Sequence, residues 1–144
     1  MQTIRNLNEL QKAVKPVLEA TANKMADTVY ACLQDFLHQY YDVYTPSVYK
    51  RSYAFLKSAV KIRAAVHGTT AVAVVYIDTN SMRYEEVSGF QVAVWANQGL
   101  HGGLNVEADT PHVWDDAIDA ATANGRLLYE AVQYLRSKGY NVEI

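Results

Sequence analysis

The sequence predicts an α+β domain in which a long N-terminal helix and a C-terminal helix pack on one face of an antiparallel sheet of three to five strands. Three observations predict it. Apolar residues from Leu7 to Tyr40 recur at three- and four-residue spacing, the spacing changes to two from Val60, and helical spacing returns after Pro111. At 144 residues the chain is one domain, with a helical segment over 1–57, a sheet over 58–96, a loop over 97–110 and C-terminal helices with a terminal strand over 111–144.

The first segment presents Leu7, Leu10, Val14, Leu18, Met25, Val29, Cys32, Leu33, Phe36 and Tyr40 on one helical face. Asn6, with Glu9 three residues on, forms a capping box at its start. Pro16 removes a backbone donor and crowds the preceding turn, so the segment divides into a short helix to Lys15 and a second one from Pro16 to Tyr40, or kinks there. The second helix would be about 37 Å long, more than a core of this size needs, so part of it reaches toward a neighbour. Thr45 precedes Pro46 and is pushed out of the α region, which ends the helix nearby; Ser47 to Val60 returns to helical spacing.

Val60, Ile62, Ala64 and Val66 alternate with Lys61, Arg63, Ala65 and His67, which predicts a half-buried strand with a basic outer face. After the Gly68-Thr69-Thr70 turn, Ala71 to Asp78 is continuously apolar up to Ile77, the pattern of a strand covered on both sides. Phe90 to Ala96 is expected as a third strand. Asn97 to Asp109, with three glycines and no period, is a long loop. A helix follows from Pro111 and His112, Asn124-Gly125 interrupts it, and a last helix from Arg126 to Ser137 is closed by Gly139.

Composition narrows the function. Half the residues are apolar, and 13 Lys and Arg face 15 Asp and Glu, so the chain as a whole lacks the basic excess that grips a phosphate backbone. The charge is uneven, however. Residues 41–70 carry Lys50, Arg51, Lys57, Lys61 and Arg63 against Asp42, a net +4, whereas residues 71–144 carry a net −6. Such halves either pair within one subunit or bring neighbouring copies together head to tail. Cys32 is the only cysteine, which leaves no disulfide and no thiolate cluster; on its apolar face it reads as a small buried residue. The opening MQTIRNLNEL lacks a signal-peptide apolar run, and no stretch is long and apolar enough for a bilayer, so no membrane association is expected.

Catalytic patterns fail on spacing. There is no phosphate-binding glycine loop, and His101-Gly102-Gly103 lacks the helix that would complete one. His67, His101 and His112 with Asp109, Asp115 and Asp116 offer metal-ligand chemistry but no local pair to anchor an ion, and loop or turn histidines at the surface explain them. A buried Cys32 makes a poor nucleophile. Glu85-Glu86 and Asp115-Asp116 are adjacent in sequence, so their side chains diverge. No catalytic, cofactor or metal residue is assigned, and the chain is not expected to be an enzyme.

Six of the eleven tyrosines lie between Tyr30 and Tyr53, five of them between Tyr40 and Val60. Tyrosine and arginine dominate protein contacts, which makes Tyr44, Tyr49, Arg51 and Tyr53 candidate interface residues. Alternatively Tyr49 and Tyr53, four apart on a helix, pack inward while Arg51 caps a local carbonyl or pairs with Asp42. Trp95 and Trp114 read as lids on the core or as binding anchors.

The string Tyr44-Thr-Pro46-Ser-Val-Tyr49-Lys-Arg51-Ser-Tyr53-Ala-Phe-Leu56-Lys-Ser58 resembles the signature, Y-x-P-x-x-Y-x-R followed by a Leu and a Ser, of head-to-tail joining, or tail-completion, proteins in the neck of tailed bacteriophages. The resemblance implies a structural virion protein without cofactors, whose copies form a hexameric or dodecameric ring joining a portal-side adaptor or stopper to the tail-tube protein. DNA would pass through the lumen without specific binding. The protein would rest in the host cytoplasm before assembly into the virion. The resemblance also implies that the glycine-bearing loop touches an adjacent ring, which adds Trp95, Leu100 and His101 to the candidate interface. Two alternatives remain at this level: the tail terminator of the same particle, and a small metal-dependent hydrolase built on the His101 loop.

Overall fold

The computed structural model describes residues 3–47 and 51–143. The first helix, α1 (Leu7–Asp42), is a single 36-residue rod, about 54 Å at the α-helical rise, and the division expected at Pro16 does not occur. Pro16 and Lys12, whose carbonyl loses its intrahelical donor, both lie on the exposed side, where water can take that carbonyl. Burial of Leu33, Leu37 and Tyr40 further along outweighs the lost bond. The start is capped as its sequence predicts: the Asn6 side chain accepts from the Glu9 N–H at 3.0 Å, and Glu9 accepts from the Arg5 N–H at 2.8 Å.

Strands β1 (Ala59–His67) and β2 (Thr70–Ile77) form an antiparallel hairpin packed along α1. The α+β class stands, with two strands among the described residues in place of three to five. The expected facing of β1 is reversed in its first half. Lys61 points toward α1, where it pairs with Asp27 and lies 5.3 Å from the Tyr30 ring, while Ile62 is exposed opposite Val74. A bulge between Ile62 and Ala65 then shifts the phase by one, because Arg63 and Ala64 together oppose Ala73. The Ala64 N–H, freed from the ladder, donates to the Asn23 side chain of α1 at 2.7 Å. The two-sided cover expected for β2 is also absent, since Val72, Val74 and Tyr76 are exposed.

Phe90 to Ala96, expected as a strand, lies in α2 (Gly89–Asn97), with the Ser88 hydroxyl accepting from the Gln91 N–H at 3.1 Å. The helical spacing expected over Ser47 to Val60 is not realised from Arg51 onward. These residues form turns around Phe55, with Tyr53 at a positive φ of 57°, and Val48 to Lys50 lie outside the described residues. Helices α3 (Val113–Thr122) and α4 (Arg126–Ser137) follow, separated at Asn124-Gly125 by a short 3₁₀ turn as expected. Gly139, at φ 90°, ends α4: its N–H donates to the Arg136 carbonyl and the Tyr140 N–H to the Leu135 carbonyl, the paired bonds of a Schellman motif. No terminal strand forms over Asn141 to Glu143.

The core lies where α1 meets α3 and the base of the hairpin. Ala117 and Ala121 are fully buried, and these small side chains let α3 approach Leu33 and Leu37 closely; Phe55, Ala96, Met82 and Val113 fill the remainder. Cys32 is buried there, as its helical face predicts. Asn97 joins α2 to α3: its Oδ1 accepts from the N–H groups of Trp114 and Asp115, both at 2.9 Å, capping α3 from outside its own segment. Asn97→Ala is expected to lower stability by about 1–2 kcal/mol, read as a lower urea midpoint at unchanged slope.

Candidate functional site

The chain leaving α1 turns back on itself through Pro46, and the rings of this stretch meet the loop that follows α2. Between them lies an open groove of about 700 Å³. Its floor is Tyr40, Tyr41 and Phe55. Tyr40 makes edge contacts with Tyr41 and Phe55, at centroid distances of 5.8 and 5.5 Å, and its hydroxyl donates to the Leu100 carbonyl at 2.7 Å. Tyr84 and Trp95 line it, with Glu85 and Glu86 alongside. Trp95 packs so closely over Gly103 that a Cβ there would stand 3.2 Å from the indole ring.

Arg51 organises the groove. Its guanidinium lies 5.0 Å from the Tyr41 ring and 5.9 Å from the Tyr44 ring, and Nη1 donates to the Tyr41 carbonyl at 2.7 Å. Tyr53 stacks on Tyr41 at 5.3 Å. Burial of Tyr41 pushes its phenol up to about 12, an effect reinforced by Tyr84 and partly offset by backbone hydrogen bonds and the Arg51 charge. His101, only 8% exposed, stacks on Tyr40 at 4.2 Å and meets Tyr44 at 4.8 Å. Burial first, and then the nearby Arg51 charge, lower its pKa and favour the neutral imidazole. Its Nε2 is enclosed without a hydrogen-bond partner among the described residues.

The structure therefore gathers Tyr44, Arg51, Tyr53, Trp95, Leu100 and His101, and Tyr49 lies outside the described residues. Arg51 caps a local carbonyl, as one of its two expected readings has it, and it also lines the open groove. His101 departs from the surface position expected of it: aromatic rings enclose it as a packing element. Tyr84 and the floor residue Phe55 were not legible as site residues. Tyr84 sits in a polar stretch with no periodic signal, and Phe55 reaches the groove only through the turn at Tyr53. His112, whose Nδ1 contacts the Asn97 carbonyl at 3.0 Å, belongs to the α2–α3 junction instead. Among the described residues no three His, Cys, Asp or Glu side chains gather as a metal site.

Stacked rings around a fixed guanidinium give a rigid, amphipathic surface suited to gripping a protein segment. The YomN family model matches residues 6–137 and so spans every element described above. The chain belongs to the YomN family. YomN is a phage-type protein. No curated protein and no solved structure matches the chain significantly.

Proposed function

We propose that this YomN-family chain is a structural component of a tailed-phage particle. Its copies form a ring in the neck that joins the head-side adaptor or stopper to the tail tube while DNA passes through. The groove centred on Arg51 carries the reading. Tyrosine, tryptophan and arginine side chains, held by one another before any partner arrives, lose little entropy on docking, as contact surfaces require. The phage-type family and the signature from Tyr44 to Arg51 supply the setting. The acidic excess of residues 71–144 suits a passage that must release a polyanion.

The test is complementation of a phage or prophage that lacks this gene with an Arg51→Ala/Tyr53→Ala chain. Folded protein, checked by circular dichroism, together with filled heads and separate tails is the expected result. Normal yields of joined infectious particles from that variant would refute the role given to the groove.

A further inference from the structure

The loop after α2 meets the end of α1 through the His101 ring, stacked on Tyr40 at 4.2 Å and tilted against Tyr44 at 4.8 Å. The backbone beneath that ring is a tight turn. The His101 N–H donates to the Leu104 carbonyl at 2.9 Å, and the Leu104 N–H to the His101 carbonyl at 3.0 Å. Beside the ring the segment has two further ties: the Leu100 carbonyl accepts from the Tyr40 hydroxyl, and Gly103 lies against Trp95. Gly99 and Gly103, at φ 73 and 80°, are the points where this segment turns without strain.

The His101 Nε2 is enclosed and has no hydrogen-bond partner among the described residues. A neutral imidazole accommodates this by carrying its single proton on Nδ1, whereas an imidazolium must also place one on Nε2, where nothing accepts it. The surrounding charges add to that cost. From the turn after α1 the Arg51 guanidinium disfavours a second cation beside it. The α1 side presents Tyr40 and Tyr41, the latter with its phenol pushed up to about 12 and so uncharged. Tyr84, Glu85 and Glu86 line the same groove, and Asp42 ends α1, yet no Asp or Glu among the described residues pairs with the imidazole. Helix α2 contributes Trp95 and no charged side chain.

We propose that His101 is an acid-sensitive catch on the groove: its neutral ring fastens residues 99–104 to the end of α1, and protonation releases them together with that wall of the groove. In the released segment the imidazole regains water and the ordinary histidine value of about 6.5. The closed form binds the proton less tightly than the released one. The catch therefore holds fully above about pH 6.5 and weakens as the pH falls from there toward the lower value of the enclosed ring. Release breaks the Tyr40 stack and the Tyr40–Leu100 hydrogen bond, while Leu33 and Leu37, earlier along α1, stay in the core. The catch belongs to the single chain and does not depend on the neck reading.

NMR of the isolated full chain between about pH 7.5 and about pH 5 tests it, following the His101 ring and the amide exchange of His101 and Leu104, corrected for the intrinsic pH dependence of exchange. The ring is expected to titrate below about 6.5, and the protection of both amides to fall by on the order of tenfold across this range, while the Leu33 and Leu37 amides keep theirs. His101→Phe keeps a ring on Tyr40 that takes no proton, so its loop protection is expected to be independent of pH. Circular dichroism checks that the variant folds; if it does not, the wild-type measurements decide alone. A ring that titrates at or above the ordinary value, or that is still neutral at about pH 5, overturns the inference. So do loop amides that are unprotected at about pH 7.5 or that keep their protection once the ring is charged, a loss shared by Leu33 and Leu37, and a folded His101→Phe chain with the wild-type pH dependence.

Discussion

Gly89→Ala is expected to destabilise the fold by about 3 kcal/mol or more, although helix propensity alone points the other way. Gly89 is the first residue of α2, and alanine is a better helix former by up to about 1 kcal/mol in a helix interior. What decides the sign is the neighbouring 3₁₀ turn. A Cβ at Gly89 would stand 2.2 Å from the Thr79 carbonyl oxygen, 2.8 Å from the Met82 Cβ and 3.0 Å from the Met82 carbonyl oxygen. Two of these are backbone atoms, so no rotamer change relieves the contact. The turn at Thr79–Ser81 and α2 must separate, and Met82, buried at 4% exposure, must leave its seat. Urea denaturation checks this: an unchanged midpoint would mean that the close approach of α2 to this turn is not a feature of the native state.

The same neighbourhood explains where sequence patterning succeeded and where it failed. Long elements with one dominant period were legible: α1, apart from the break expected at Pro16, the two strands of the hairpin, α3, and α4 with its Gly139 stop; the loop after Asn97 was legible from its glycines and lack of period. In α2, Phe90, Val92, Val94 and Ala96 recur at a period of two, and the β-branched residues favour a strand. The segment is helical because the Ser88 cap and the burial of Gly89 and Ala96, seven residues apart, fix a helix against Met82 and the α3 junction. Those are tertiary facts, and propensity yields to them. The facing of β1 failed for a different reason. An inserted residue at the bulge changes which side chains face inward, and alternation on paper cannot register an extra residue in one strand. The site was half legible. Tyrosine density marked the stretch after α1, but which rings line the groove depends on the reversal at Tyr53 and on Tyr84 arriving from a segment without pattern.

That dependence gives the second large effect. Phe55→Ala is expected to cost about 3–5 kcal/mol, a large share of the 5–15 kcal/mol typical of a domain. The ring is 1% exposed and meets Tyr40 edge-on, and its backbone carbonyl accepts from the Ser58 hydroxyl at 2.6 Å, so the turn closes around it. Deleting the ring leaves a cavity beneath Tyr40 and Tyr41, the floor of the groove. The surrounding helices hold that cavity open, because Leu33, Leu37 and Ala117 are already fully buried against one another. Thermal melting is expected to show a midpoint lower by on the order of 10 °C. Phe55→Leu, which retains most of the volume, should lose much less. The pair also discriminates between core and site: if Phe55→Leu melts near wild type yet fails to join particles, the aromatic floor contributes to docking itself, whereas joining that follows stability across both variants assigns Phe55 to the core alone.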